Sequence, residues 1–418
     1  MRTRLALSAL VVLTALGSSE AWAASKRATV LLIPVDRNAG SAAMKFTEYL
    51  EAAVAKRANY VLKDAATVLG DSTPTQALEA RKRVIGALTE GKKLYAAGSF
   101  DEAESALRTA LIDIDNASAA LERCGEYCET LAYLAGAQVM KGDEQGARDV
   151  LKQLLAMEKA YRFDSAVFGK NLMVLVREVE RKLAEETLVA ITVQTNPAGG
   201  KVYLDGNYKG YAPLTIERNP PGKHLLRVER PGSITYGQLV DVGSGDEITV
   251  KAKLTATPEF SALEGSLDKV IDEIERGEGA PELYRLGPKL KVDRAIVGLV
   301  RTTETRVTLD CVWVDFPAKK KLSKKNRSFQ GEEYGELGKE VQRFGNLLMA
   351  EGDTGKGTAT AKAGGDPLDS RSGDEDWDEE GSGSNVKAGA GGEDADKPKK
   401  KDTKKKKDQE EGGGTGDW

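Results

Sequence analysis

From Thr195 to Gly210 the chain reads TNPAGGKVYLDGNYKG, and this strip leaves few folds open. Val202 and Leu204 alternate with polar residues, and Asp205-Gly206-Asn207 follows at once, a pattern that predicts two short strands joined by a tight turn. The alternation recurs at Val189, Ile191 and Val193, at Leu214 and Ile216, at Leu226 and Val228, and at Ile248 and Val250. A period of two with one apolar face predicts strands that bury that face against a second sheet. Residues 188–254 therefore read as a small antiparallel β-sandwich.

The turn residues Pro197, Gly199, Asp205, Gly206, Gly210, Pro213 and Gly222 stand where the PEGA domain places its turns, and this segment resembles that family. Gly200 replaces the alanine of the family's namesake motif. The resemblance implies a small β-sandwich of a cell-envelope protein that acts by adhesion, not by catalysis. It also implies a structural role for His224, the sole histidine, which follows Gly222 at the start of a strand.

Residues 75–187 are patterned as helices throughout. Gly91, Leu94, Tyr95, Gly98, Phe100, Ala103 and Leu107 are echoed by Leu131, Leu134, Gly136, Gly142, Ala147 and Leu151. Both runs resemble tetratricopeptide repeats, in which small residues let two antiparallel helices approach and a glycine ends the first. Gly98 and Gly142 lie 44 residues apart, so about ten residues are inserted into the usual period of about 34. A plain helical bundle is the competing reading. The insertion contains Cys124 and Cys128, which read as buried thiols or as one disulfide; with a single histidine in another segment, four zinc ligands are not assembled.

The run ATVLLIPV from Ala28 to Val35 predicts a buried strand, and Ser41–Ala58 predicts an amphipathic helix. Phe260–Glu275 and Gly335–Ala350 have helical spacing, and Arg294–Arg301 with Arg306–Phe316 read as a strand pair. Leu286 to Gly298 resembles the helix–aspartate–strand–glycine unit of TolB-type amino-terminal α/β domains, which begin with a strand like ATVLLIPV. That resemblance implies that residues 28–70 and 260–350 form one split α/β domain with the other modules inserted. The fold class expected is thus α+β and multi-domain, with segments 24–74, 75–187, 188–254 and 259–350.

Residues 1–23 read as a cleaved signal peptide: Arg2 and Arg4, an apolar stretch from Leu5 to Gly17, and Ala21-Trp22-Ala23 as the cleavage site. No other stretch is long and apolar enough to span a bilayer. The expected location is periplasmic or extracellular, in a Gram-negative envelope. Residues 351–418 read as a disordered charged tail, with 12 basic and 18 acidic side chains in blocks. The overall charge of −4 therefore resides in the tail. Trp377 and Trp418, each preceded by an acidic residue, are candidate docking points.

No nucleophile elbow, phosphate loop or metalloprotease helix occurs. No cofactor is expected. The basic cluster Lys319, Lys320, Lys321, Lys324, Lys325 and Arg327 reads as an exposed hairpin loop or as a contact for phosphates or an anionic polymer. The secretion signal and the absence of interleaved aromatics argue against nucleic acid. The function expected is a non-enzymatic envelope scaffold that binds envelope proteins or a cell-wall or surface polymer. The alternatives are an accessory subunit of an outer-membrane transport, secretion or motility machine, and an envelope-polymer hydrolase with paired carboxylates.

Overall fold

The computed structural model describes residues 25–70, 73–243, 247–277, 279–330 and 334–354. The segment 1–23 that reads as a signal peptide, Trp377, Trp418 and the residues beyond 354 lie outside them. The described residues are mixed helix and strand, with three sheets among them.

The first layer is built from both ends of the described chain. Strand β1 (Lys26–Pro34), helix α1 (Gly40–Ala55), β2 (Tyr60–Leu62) and α2 (Ala65–Leu69) come first. Helices α3 (Thr75–Ala96), α4 (Phe100–Ile112), α5 (Ile114–Ala117), α6 (Gly125–Met140), α7 (Glu144–Met157) and α8 (Ser165–Ala184) follow. Seven strands then form the sandwich: β3 (Val189–Asn196), β4 (Lys201–Leu204), β5 (Asn207–Tyr211), β6 (Leu214–Asn219), β7 (Gly222–Glu229), β8 (Tyr236–Val242) and β9 (Ile248–Lys253). The chain returns through α9 (Pro258–Arg276), α10 (Pro281–Leu290), β10 (Arg294–Thr302), β11 (Arg306–Asp315), β12 (Lys320–Gln330) and α11 (Tyr334–Asp353).

The five-stranded sheet has the order β12-β11-β10-β1-β2. β1 runs parallel to β10 from Ala28↔Arg294 to Pro34↔Val300, and β11 and β12 continue antiparallel. Helices cover both faces, which is why β1 reads as an unbroken apolar run rather than an alternation. Val30 and Leu32 join Phe46, Leu50, Phe344 and Leu348 of α1 and α11, while Leu31 and Ile33 join Leu69, Val270 and Leu286 on the opposite face.

Helix α11 continues three residues past Ala350. The Asp353 carboxylate accepts from the Tyr60 hydroxyl at 2.8 Å and from the Trp313 indole at 3.4 Å, and pairs with Arg294. The polar composition from residue 351 onward hides this anchor, so the expected tail boundary at 350 is displaced into the fold.

In the helical region α3 and α4 turn at Gly98 (φ +79°), and α6 and α7 at Gly142 (φ +82°). Ala103 and Ala147 are fully buried where the paired helices meet. Cys124 caps the start of α6 and is bonded to Cys128 in its first turn.

The sandwich packs a three-stranded sheet, β6-β3-β9, on a four-stranded one, β5-β4-β7-β8. Asp205 and Gly206 both have positive φ (52° and 80°), the geometry of a type I′ hairpin turn. The inward positions Val189, Ile191, Val193, Val202, Leu204, Leu226 and Val228 form its core.

Candidate functional site

The turn glycines and loops of the sandwich are occupied by the rest of the chain. The peptide at Ala198–Gly199 lies against Gly40, at the start of α1, so closely that a Cβ on Gly40 would overlap Ala198. Ser41 donates to the Ala212 carbonyl at 2.6 Å, and Lys201 pairs with Glu48 at 2.6 Å. On the other side, Gly206 abuts Glu122 and Arg123, and Gly237 abuts the backbone of Ser118 and Ala119. Asp115 of α5 accepts from the Leu239 amide at 2.9 Å. The Gln153 side chain bonds both the N–H and the C=O of Lys223, at 2.9 and 2.7 Å, as a neighbouring strand would. The residues inserted between the two helix pairs thus serve to hold the sandwich.

His224 is 1 % exposed. Its Nδ1 lies 2.7 Å from Asp205 Oδ2 and its Nε2 2.8 Å from the Pro220 carbonyl. Burial by itself lowers its pKa, but the hydrogen bond and charge of Asp205, with the Pro220 carbonyl, outweigh it and the net direction is upward. Two acceptors on two ring nitrogens fit an imidazolium. Asp205 also accepts from the Leu225 amide at 2.8 Å, so the pair ties the hairpin turn to β7. Extra stability from His224 is complete below its unfolded pKa near 6.5 and is lost as pH rises through the higher folded value. His224→Gln is expected to cost about 1–3 kcal/mol in acid and less in alkali, read by urea titration at several pH values.

The basic cluster, apart from Lys319 in the preceding turn, lies on strand β12 and not in a loop. Lys321 donates to the carbonyls of Glu273, Gly277 and Gly279 at the end of α9, and Lys324 to that of Ile274 at 2.6 Å. Lys325 pairs with Glu351 at 2.7 Å, and Arg327 lies 3.8 Å from Glu340. Lys319 and Lys320 are exposed at the β11–β12 turn. β12 is an edge strand, and its row of lysines both fixes two helices and discourages strand addition from outside. Local sequence hides this because lysines are frequent in loops; the trace of the strand is that every second residue from Ser323 to Phe329 is turned inward while those between are exposed.

Two hollows flank the contact between sandwich and α1. The first, about 390 Å³, is walled by β1, α1, α2, the end of β7 and α9; Met44, Leu69 and Phe260 supply apolar surface. Glu48, Glu51, Asp64, Lys201 and Arg230 also line it. Burial pushes the Glu51 carboxyl up to about 7, and the charges of Asp64 and Glu48 add to this; the hydrogen bond from the Ala65 amide (2.6 Å) and the charge of Lys201 act against it. A raised carboxyl favours the fold at low pH, so its contribution is complete below about 4.5 and is lost as pH rises through about 7. Glu51→Gln is expected to flatten the stability–pH curve across that window and to stabilise the protein above it by on the order of 2 kcal/mol, after a discount for the part still in water. The second hollow, about 930 Å³, is a groove bearing Tyr49, Tyr208 and Tyr211 together with Arg37, Lys45 and Lys209.

Other chemistry-bearing groups are engaged inside the fold. The Asp36 carboxylate accepts from the Thr302 amide at 2.9 Å. Cys311 is buried against Gly298, and burial drives its thiol pKa far up. Among the described residues no three His, Cys, Asp or Glu side chains are grouped to hold a metal, and no helix is long and apolar enough to cross a membrane.

A two-sheet sandwich with a type I′ hairpin and a turn glycine, Gly199, buried against α1 defines a small β-module set into a larger protein. Comparison with known families places residues 188–258 in the PEGA domain, so this module is a PEGA domain. No curated protein matches the chain.

Proposed function

We propose that this chain is a non-enzymatic scaffold of the bacterial cell envelope, secreted through a cleaved amino-terminal signal and acting in the periplasm or outside the cell. Its helix pairs are read as tetratricopeptide-like units that present a surface to envelope proteins. The observation that carries the proposal is the groove of about 930 Å³ between the PEGA domain and α1. Tyrosine faces beside arginine and lysine suit an extended peptide or an anionic surface polymer, through stacking and charge together. The carboxylates of the smaller cavity support a non-catalytic reading over a hydrolase: Glu51 holds the first amide of α2, Glu48 pairs with Lys201, and Asp64 caps α2.

A second reading, an accessory subunit of an outer-membrane transport, secretion or motility machine, draws on the sheet shared by residues 26–62 and 294–330 and its TolB-type resemblance. Cross-linking in cells, followed by affinity purification and mass spectrometry, tests both. The full chain is compared with one ending at Thr354, which keeps the Asp353 anchor. Specific recovery of machine components favours the subunit, and their loss without the tail assigns docking to Trp377 or Trp418. Recovery of neither protein nor cell-wall material refutes the scaffold.

A further inference from the structure

The end of β1 lacks a neighbour on one side. β2 pairs with it only from Lys26↔Tyr60 to Ala28↔Leu62, and the chain then leaves for α2. In a parallel pair a residue's N–H and C=O point the same way, and successive residues alternate. The Ala28 carbonyl accepts from Lys63 on the β2 side, whereas the Val35 amide donates to Val300 on the β10 side. Val30 and Leu32 therefore present both backbone groups to the β2 side, where β2 has ended and the cavity of about 390 Å³ begins. Pro34, the next position of that parity, has no N–H to present. Val30 and Leu32 are 0 % and 8 % exposed, and no strand or side chain among the described residues pairs with their outer edge. Unpaired backbone groups in so dry a place are costly and call for a partner.

The cavity contains a second group in want of a partner. Arg230 has no carboxylate in contact among the described residues; its guanidinium lies 5.9 Å from the Phe260 ring centre and 3.3 Å from the Ser233 hydroxyl. Burial lowers its pKa, and only the charge of Glu264 acts the other way. Lys201, by contrast, is taken by Glu48. Past Pro34, the end of the slot is shut where the Ala198–Gly199 peptide seals Gly40. A chain entering beside Leu62 and running parallel to β1 has to stop there.

We propose that this slot binds the free carboxyl terminus of a partner polypeptide. The terminal residues add as a short strand to the open edge of β1 at Val30 and Leu32, apolar side chains meet Met44, Leu69 and Phe260, and the terminal carboxylate pairs with Arg230. Strand addition matches alternating backbone groups in a way that an amphiphile without amides does not, and a planar guanidinium suits a carboxylate. The proposal deepens the scaffold reading and rests on it for the existence of a partner.

The test uses the full chain and fluorescein-labelled hexapeptides whose last three residues are drawn from Val, Ile, Leu, Thr and Ala. Each peptide is made as the free acid and as the carboxyl-terminal amide, and binding is read by fluorescence polarisation. Free acids are expected to bind at least about tenfold tighter than their amides, and Arg230→Met to weaken the acids about ten- to a hundredfold while leaving the amides unchanged. Ala66→Phe, which fills the slot, removes binding, and the Val30 and Leu32 amides exchange more slowly when peptide is bound. The acid–amide comparison needs no variant, so it decides even where a substitution unfolds the chain. Equal affinity of acid and amide, no binding by any peptide, or a lipid found in the slot by native mass spectrometry overturns the proposal. If cross-linking still recovers partners in that case, the scaffold reading stands and only the slot falls.

Discussion

Gly237→Ala is expected to release the PEGA domain from the helical region. The added methyl would overlap the backbone of Ser118 and Ala119. Backbone cannot rotate aside as a side chain can, so the cost belongs near the upper end of the 1–3 kcal/mol typical of overpacking. Gly237 does not have a positive φ, and alanine carries no conformational penalty there. The effect should fall on docking rather than on the sandwich itself. Calorimetry is expected to show one transition resolving into two, with amide exchange rising around α5 and β8 while the β4–β7 ladder stays protected. Gly40→Ala, which meets Ala198 in the same manner, should loosen the opposite face. Gly86→Ala, with nothing near its Cβ in mid-helix α3, should instead stabilise by about 0.5–1 kcal/mol. A single unshifted transition for Gly237→Ala would show that the contact is not needed.

Trp313→Ala should have the largest effect on stability itself. Trp313 is wholly buried on β11, edge-on to Tyr60 with ring centres 5.3 Å apart, and beneath the Arg294 guanidinium at 5.8 Å. Gly352 of α11 approaches its ring so closely that no Cβ fits between. Truncation removes that contact surface and leaves a cavity, for an expected loss of about 3–5 kcal/mol. Asp353→Ala removes only the polar end of the same cluster and should cost about 1–3 kcal/mol. Urea denaturation followed by circular dichroism measures both, and a loss below about 1 kcal/mol for Trp313→Ala would contradict the packing described. In both variants the last turn of α11 should exchange amides faster.

What could be read in the sequence was local. Asp205-Gly206 announces a turn that needs positive φ twice, and the alternation around it marks which face of each strand is buried. The run ATVLLIPV states that β1 is covered on both faces. What could not be read was long-range. Nothing in β1 names β10, whose partners lie 266 residues away. The lysines of β12 look like loop residues because their fixed partners, the last carbonyls of α9, belong to another segment. Asp353 sits in tail-like composition and is held by residues from β2, β10 and β11. The cavity has no sequence signature, since it arises where β2 is too short to accompany β1. Arg230 and Glu51 become notable only once their surroundings are known.

The pairing of β1 with β10 also bears on how the molecule is made. Among the described strands β1 emerges first, and its principal partner follows only after a further 266 residues. Until then its buried positions from Thr29 to Ile33, beyond the three residues paired with β2, have no strand beside them. The helical region and the PEGA domain can assemble in that interval, and their folding shortens the loop that closure of the five-stranded sheet must span. The earliest of the described strands thus waits longest for its main partner, and in the waiting period it is the segment that a chaperone would have most reason to hold.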